Sequence, residues 1–284
     1  KDVTARQLAE LMVGSELPKP DTRESTVTDV VQLSVTGLSL SAPSGKAILD
    51  DITFEVHRGE IAGFAGVEGN GQSELVEALL GLVKPNSGRV VVDGHDVSTD
   101  TTSERRNLGI AVVPEDRHRQ ALLLASPLWE NRVLGHTHDE RFFTSWGWMK
   151  RRAAVADTVR IMSDYDVRAP GADSLVGSLS GGNQQKLIIG RELESDPSIL
   201  IAAHPTRGVD VGAQAAIWDR IRTARARGLA TVLISADLEE LIGLSDTLYV
   251  IYRGKLVAKL DPASVTPQVL GTYMTGAATK EASA

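Results

Sequence analysis

The 284-residue sequence contains no cysteine, which excludes disulfides, iron–sulfur clusters and thiol nucleophiles and is consistent with a reducing compartment. It also has no uninterrupted apolar run of about 18 residues, the length that a membrane-spanning helix needs. The first residues lack the apolar core of a signal peptide. They begin at Lys1 and not at Met, so we expect a fragment of a longer protein.

Positive charge is in short supply as well. Thirty Lys and Arg residues face 37 Asp and Glu residues, which leaves a net charge of -7. This balance argues against a dominant nucleic-acid surface, so we expect no nucleic-acid partner. The remaining composition, with 42% hydrophobic and 24% charged residues, is that of an ordinary globular protein. The length suits one large α/β domain or two small ones.

Strand and helix patterns alternate along most of the chain. Apolar residues alternate with polar ones within 31–35 and 52–56, and short apolar runs occupy 61–65, 108–113, 199–203 and 231–235, all patterns typical of strands. Helices are predicted at 73–82, 182–193 and 213–226, and a hairpin at 247–260. Alternation of this kind predicts an α/β fold with a mostly parallel sheet covered by helices on both faces. Ligands of such folds bind beyond the carboxyl ends of the strands.

The two ends and the middle of the chain differ from this pattern. A predicted helix at Thr4–Gly14 precedes a proline-containing linker, so residues 1–25 are interpreted as the tail of a preceding domain, or alternatively as an N-terminal arm. Residues 26–276 form the main domain. Helical signals between 127 and 167 predict an inserted helical subdomain at about 120–180, and 277–284 a frayed, disordered tail.

A glycine-rich segment follows the apolar run 61–65 and opens a predicted helix. It reads Gly66-Val67-Glu68-Gly69-Asn70-Gly71-Gln72-Ser73-Glu74. Glycines let backbone N–H groups turn inward and the helix N-terminus adds positive potential, so this context predicts a phosphate-binding loop with Ser73 placed to hold Mg²⁺. The motif asks for lysine where Gln72 stands, which predicts nucleotide affinity weakened by about ten- to a hundredfold. The alternative is a glycine-rich turn without a ligand.

A second helix start carries more specific information. It reads Leu179-Ser180-Gly181-Gly182-Asn183-Gln184-Gln185-Lys186. Its glycines and the Ser180 hydroxyl can face an anion. The segment resembles the signature of ATP-binding-cassette proteins, in the form seen in sugar and nucleoside importers. Two further segments similar to that family follow its order: Val113-Pro114-Glu115-Asp116-Arg117 at the place of the Q-loop, and Pro205-Thr206-Arg207-Gly208-Val209-Asp210 after the Walker B strand.

The resemblance covers residues 27–274 and implies a P-loop NTPase (RecA-like) core with an antiparallel β subdomain and an inserted α-helical subdomain. It is greatest to the second nucleotide-binding half of importers that carry two halves on one polypeptide, where Glu-Asp-Arg also replaces the Q-loop glutamine. It further implies that ATP with Mg²⁺ lies between the Walker motifs of one cassette and the signature of the other. Leu179–Gln184 would then contact the partner's ATP, Asp210 would be the D-loop residue and Glu115 the Q-loop equivalent.

The partners that the resemblance implies are the first nucleotide-binding half of the same polypeptide, transmembrane permease subunits and, indirectly, an extracytoplasmic solute-binding protein. The implied location is the cytoplasmic face of the plasma (inner) membrane. The N-terminal helix and linker then look like the end of the first half. The segment 201–208 is similar to the nucleoside branch of these importers.

Four phosphate or catalytic positions depart from the family pattern. Gln72 replaces the Walker A lysine, Ala203 and His204 replace the Walker B Asp–Glu pair, and Ala236 replaces the switch histidine. No aromatic residue lies within 40–46, where the adenine-stacking side chain is expected. The aspartate would order Mg²⁺ and the glutamate would polarise the attacking water, so their joint absence predicts a degenerate site without a catalytic residue. The alternative makes His204 a general base, since a neutral imidazole accepts a proton near pH 7.

We therefore expect the ATP-binding cassette of an importer for a nucleoside or a simple sugar, inactive alone but completing its partner's ATP site. One alternative is a soluble regulatory cassette protein without a permease, with Trp146, Trp148, Phe142 and Phe143 as a protein-binding patch. The competing account of these aromatic residues is packing inside the helical subdomain. A third hypothesis is an active stand-alone ATPase.

Overall fold

The computed structural model describes residues 25–277. The helix predicted at Thr4–Gly14, the linker up to residue 24 and the tail after 277 lie outside the described residues. The described chain divides into two compact units. We call 113–196 with 205–221 the helical unit, and 25–112 with 197–204 and 222–277 the sheet unit, and describe each by itself.

An antiparallel sheet forms one part of the sheet unit. Its order is β2-β1-β4-β5, and each pair of neighbours is antiparallel. The strands are β1 (Val31–Ser41), β2 (Ala47–His57), β4 (Ser87–Val92) and β5 (His95–Asp96). The alternating apolar residues from which β1 and β2 were predicted are buried in the core: Leu33, Val35, Phe54 and Val56.

The second sheet of this unit has six strands in the order β10-β9-β3-β8-β7-β6. They are β3 (Ile61–Ala65), β6 (Ile110–Val113), β7 (Ile199–Ala203), β8 (Ala230–Ile234), β9 (Thr247–Tyr252) and β10 (Lys255–Leu260). β3 pairs in parallel with β8 and β9, and β7 with β8. Every residue of β3, β7 and β8 is buried, which explains why these strands are continuous apolar runs.

Four helices belong to the sheet unit: α1 (Gln72–Leu80), α2 (Thr102–Asn107), α8 (Leu238–Leu244) and α9 (Pro267–Met274). The buried core contains residues from both sheets and from α1. This core contains three stacked or edge-on aromatic rings. The ring centroid of Phe64 lies 4.8 Å from that of Phe54 and 5.1 Å from that of Tyr249. This core fixes the loop between β3 and α1 at the carboxyl end of the sheet.

The helical unit contains α3 (Arg117–Gln120), α4 (Leu128–Val133), α5 (Arg151–Asp164) and α6 (Gly181–Leu193), together with the first turns of α7 (Val211–Ala226). The fully buried Arg132 on α4 pairs with Asp157 on α5 at 2.5 Å and lies 4.7 Å from the ring centroid of Phe142.

None of the helices described between residues 25 and 277 combines the length and apolar character that a bilayer crossing demands.

The short helices α2, α3, α8 and α9 were not predicted, because each is set by a single capping side chain and too short for a clear hydrophobic period. Thr101, Asp116, Asp237 and Thr266 cap them.

The packing account of the four aromatic residues is wrong for two of them. Phe142 is buried, but Trp146 is 88% and Trp148 77% exposed.

Candidate functional site

The glycine-rich loop connects β3 to α1 in the sheet unit, as the sequence predicts. Gly69 and Gly71 have φ angles of 86° and 112°, a region that other residues rarely adopt. A Cβ on Gly71 would also lie 2.9 Å from a methyl of Leu49. The backbone therefore has the inward-turning form that a phosphate cradle needs, and glycine is required to keep it.

Asn70 anchors this loop to the turn between β9 and β10. Its carboxamide nitrogen donates to the Val67 carbonyl at 2.9 Å, and its Oδ1 accepts from the backbone N–H of Arg253 at 2.8 Å. The N–H of Gly254 in turn donates to the Asn70 carbonyl at 2.9 Å. The sequence marks Asn70 only as a loop member, because its partners in the turn between β9 and β10 are more than 180 residues away along the chain.

The side chain of Gln72 folds back against its own loop and is only 8% exposed. Its Nε2 donates to the Val67 carbonyl at 3.2 Å and lies 2.4 Å from the position that a Cβ on Gly66 would take. Its Oε1 is buried and has no hydrogen-bond partner among the described residues. A phosphate offers acceptor oxygens, so this lone acceptor is not complementary to it, whereas a lysine ammonium would be.

The end of β7 carries the two residues that replace the Walker B pair. Ala203 is buried. His204 has a φ of 50°, and its backbone N–H donates to the Ile234 carbonyl at 2.7 Å. The backbone N–H of Ala236 donates to His204 Nδ1 at 3.2 Å. Two of the altered positions thus contact each other, which the sequence did not reveal.

This contact decides how His204 can act. Because Nδ1 accepts a hydrogen bond, the neutral imidazole must carry its proton on Nε2. Nε2 is then a donor and cannot take a proton from water. The geometry therefore argues against the alternative in which His204 is a general base.

The loop residues fit a phosphate through their backbone, but they supply little for a metal. Ser73 and Glu74 begin α1, Ser73 being exposed and Glu74 half-buried. Within residues 25–277 no group of three or more His, Asp or Glu side chains is arranged to hold a metal ion. Ala203 cannot contribute the carboxylate that would order a metal's water shell.

The signature segment lies in the helical unit, where Ser180 caps α6. Its Oγ accepts from the Asn183 backbone N–H at 3.4 Å and from Asn183 Nδ2 at 3.0 Å. Leu179 is buried beneath the segment, whereas Ser180 is exposed. A Cβ on Gly182 would lie 3.1 Å from Asp210 Oδ2. The structure thus places the signature next to Asp210.

Arg117 joins three segments of the helical unit. Its Nε donates to Gln184 Oε1 at 3.3 Å and its Nη1 to the Arg207 carbonyl at 2.8 Å. A Cβ on Gly181 would lie 2.7 Å from its Nη2 and 3.0 Å from the Gly208 carbonyl oxygen, so the guanidinium packs closely against this glycine. Glu115 forms a 2.6 Å ion pair with Arg207. The sequence marked the motif that contains Arg117 but assigned only Glu115 to the site.

Two further contacts complete this cluster. His118 Nε2 lies 2.9 Å from Gln184 Oε1, so the amide oxygen of the buried Gln184 has two partners. Asp210 Oδ1 accepts from the Ala213 backbone N–H at 2.9 Å and so caps the first turn of α7. The three motif segments of the helical unit are therefore held together by hydrogen bonds and an ion pair between side chains, and by the bond from Arg117 to the Arg207 carbonyl.

Comparisons with known proteins bear on the family and the fold of this chain. A family model described as ABC transporter matches residues 49–207. The guanosine import ATP-binding protein NupO of Bacillus subtilis (strain 168) is 37% identical over 282 residues, which make up 99% of this chain and 55% of NupO. The nucleoside import ATP-binding protein NupA of Lactococcus lactis subsp. cremoris (strain MG1363) is 36% identical, with 97% of this chain and 54% of NupA covered.

A ribose import ATP-binding protein, RbsA of Lacticaseibacillus paracasei, is 34% identical over 100% of this chain and 55% of RbsA. The chain spans about half the length of these curated relatives. Among solved structures, a nucleotide-free ATP-binding cassette from an ABC transporter superposes with a TM-score of 0.73 at 21% identity, covering 86% of this chain and 99% of that one. The matched family model and the shared fold establish that this chain belongs to the ABC transporter family and has the fold of its ATP-binding cassette.

Proposed function

We propose that this chain is the C-terminal cassette of a two-cassette importer ATPase, with residues 26–276 as its nucleotide-binding domain. Its signature segment completes the ATP site of the other cassette, while its own phosphate loop forms a degenerate site. One observation carries the proposal. The signature cluster is well ordered by Arg117, whereas the phosphate loop is filled by its own Gln72.

The signature segment is suited to contact a neighbour's nucleotide. Ser180 keeps its hydroxyl at the exposed start of α6, a helix of 13 residues. The first-turn N–H groups of such a helix attract an anion. Arg117 and Gln184 hold this turn in place, so little ordering would be needed when a phosphate binds.

The phosphate loop of this chain is poorly suited to hydrolysis. Gln72 supplies no charge, Ala203 no carboxylate, and the bond from Ala236 to His204 leaves the imidazole as a donor at Nε2. ATP with Mg²⁺ is therefore expected to bind tightly only where the other cassette provides the Walker motifs. When bound there, the nucleotide supplies the phosphoryl group whose hydrolysis drives transport.

The names of the relatives support a proposal for the substrate class and the partners. NupO and NupA are named for import of guanosine and nucleosides, and RbsA for import of ribose. We infer uptake of a nucleoside or a simple sugar, with transmembrane permease subunits, an extracytoplasmic solute-binding protein and the first cassette of the same polypeptide as partners. The chain would then work at the cytoplasmic face of the membrane.

Substitution of Ser180 by arginine in the full-length protein tests the trans role, because a bulky cation at the first turn would block the neighbour's phosphate. We expect transport-coupled ATPase activity to fall to background. Ser163→Arg is the matched control, since Ser163 is an exposed serine on α5 of the same unit. Activity that survives Ser180→Arg as well as it survives the control would contradict the proposal.

Two simpler measurements separate the alternatives. A phosphate-release assay on the 284-residue chain should give no turnover above background, and steady turnover would favour a stand-alone ATPase. Co-purification of the full-length protein with a multi-span membrane protein is expected for an importer. A soluble regulatory protein would purify without one.

A further inference from the structure

The helical unit presents an exposed aromatic tip between α4 and α5. Residues 144–150 are all exposed, among them Trp146 at 88%, Trp148 at 77% and Met149 at 44%. We call residues 142–150 the tryptophan hairpin. It is not used by the phosphate loop or by the signature cluster.

Hydrogen bonds hold this hairpin in a defined shape. The N–H of Thr144 donates to the Trp148 carbonyl at 2.9 Å, and the N–H of Trp148 donates to Thr144 Oγ1 at 3.0 Å. At the base, the N–H of Lys150 donates to the carbonyl of Phe142. Phe142 itself is buried, with the guanidinium groups of Arg132 and Arg141 at 4.7 and 5.2 Å from its ring centroid. The backbone thus directs both indoles into solvent.

The exposed apolar area of the hairpin is within the range of known contact surfaces. A tryptophan side chain presents up to about 250 Å², so the two indoles together expose roughly 400 Å². A contiguous apolar patch of a few hundred Å² commonly marks a contact surface. The tryptophan hairpin therefore has the apolar exposure of a contact surface.

The charges beside the two indoles indicate which kind of surface contacts the tryptophan hairpin. Lys150, Arg151 and Arg152 follow Met149 and are all exposed, and the Lys150 ammonium donates to the Glu140 carbonyl at 2.7 Å. Arg151 forms a 3.0 Å ion pair with Asp173, whereas no ion pair to a carboxylate is formed by Lys150 or Arg152 among residues 25–277. Indoles beside lysine and arginine suit the boundary between lipid headgroups and acyl chains, where the rings enter the boundary and the cations meet phosphates.

We infer that the tryptophan hairpin is a membrane-contact element that inserts Trp146 and Trp148 into the headgroup region of an anionic lipid surface. The inference does not rest on nucleotide binding or on the proposed role of the signature segment. It adds a direct lipid contact to a chain for which we expected membrane association only through a permease.

Vesicle sedimentation tests this contact with the 284-residue chain. We expect binding to vesicles made of equal parts phosphatidylglycerol and phosphatidylcholine, and much weaker binding to phosphatidylcholine alone. The double substitution W146A/W148A should lower the partition coefficient at least about tenfold, which corresponds to about 1.4 kcal/mol. Val159→Ala removes an exposed apolar side chain from α5 of the same unit and should leave binding unchanged.

The charge contribution has its own pair of variants. Arg152→Gln should weaken binding to the anionic vesicles, whereas Arg227→Gln, at an exposed arginine of the sheet unit, should not. Because both indoles are exposed, the double variant should keep the melting temperature of the parent chain, which shows that it folds. Absence of vesicle binding by the parent chain would overturn the inference in favour of a protein partner. Equal binding by parent and double variant would overturn the role of the hairpin.

Discussion

If the phosphate loop is degenerate, as we propose, replacing Gln72 with lysine should raise its affinity for phosphate. The carboxamide nitrogen of Gln72 already lies 3.2 Å from the Val67 carbonyl, so a lysine ammonium can reach the same place. It would add a positive charge where a buried amide oxygen now has no partner among the described residues. A hydrogen bond to a charged group contributes about 1.5–3 kcal/mol, so we expect ATP to bind about ten- to a hundredfold more tightly.

A second substitution separates the metal from the phosphate. Ala203 ends the buried strand β7, where a carboxylate would order the water shell of Mg²⁺. Gln72→Lys alone should therefore improve binding with and without Mg²⁺ to a similar degree. When Ala203→Asp is added, the affinity should become dependent on Mg²⁺.

Titration with a fluorescent ATP analogue, in Mg²⁺ and in EDTA, measures both effects. Gln72→Met is the matched control, because methionine has a similar length and no charge or donor. If the lysine and methionine variants bind nucleotide equally, the missing charge is not what weakens the loop. Tight, Mg²⁺-dependent binding by the parent chain would refute the degenerate site itself.

Three further predictions concern the helical unit. Gly190→Ala should destabilise it by about 1–3 kcal/mol in thermal unfolding, because the added Cβ would lie 2.6 Å from an isoleucine methyl of α5. Burial raises the pKa of Asp157, but hydrogen bonds from Arg160 and the charge of Arg132 together bring the pKa below its ordinary 3.8. The contribution of the Asp157 carboxylate to the free energy of unfolding should be fully present above pH 3.8 and lost as the pH falls through its lower folded-state pKa. Asp157→Asn should therefore lower the free energy of unfolding by about 3 kcal/mol near neutral pH. It should also reduce the loss of stability that the parent chain shows in acid. Arg117→Lys should speed amide exchange around residues 208–211 about tenfold, because lysine cannot reach all of its acceptors.

Each of these changes has a control or an opposing outcome. Gly171→Ala should be neutral, since nothing lies within 4 Å of the added Cβ, and equal losses at both glycines would contradict the packing argument. An unchanged acid limb in Asp157→Asn would show that this carboxylate does not set it. Arg119→Lys, on the exposed side of the same short helix, should leave exchange unchanged. Exchange as slow in Arg117→Lys as in that control would remove Arg117 as a positioning residue.

The sequence predicted the architecture well because the fold rests on local periodicity. Continuous apolar runs placed β3, β7 and β8, and the observed limits of α1, α6 and α7 differ from the predicted ones by at most two residues. The glycine loop and the signature helix were likewise visible, because each depends on neighbouring residues. The short helices escaped notice, since one cap decides each of them and a cap has no period.

The chemistry of the altered positions could be read only as a set of replacements. That Gln72, Ala203, His204 and Ala236 remove a charge, a carboxylate and two catalytic groups follows from residue type alone. How the replacements are arranged does not follow from residue type. The bond between Ala236 and His204 joins residues 32 positions apart, and the contact from Arg117 to Arg207 spans 90.

By itself, then, the sequence determined the fold and the family resemblance and led to the prediction of a degenerate site, because these depend on local pattern and side-chain identity. Only the tertiary structure decided that Gln72 folds back against its own loop, that Nδ1 of His204 accepts the Ala236 N–H and that Trp146 and Trp148 face solvent. Those properties depend on which backbone groups and surfaces come together in space, and a residue's neighbours along the chain do not specify them.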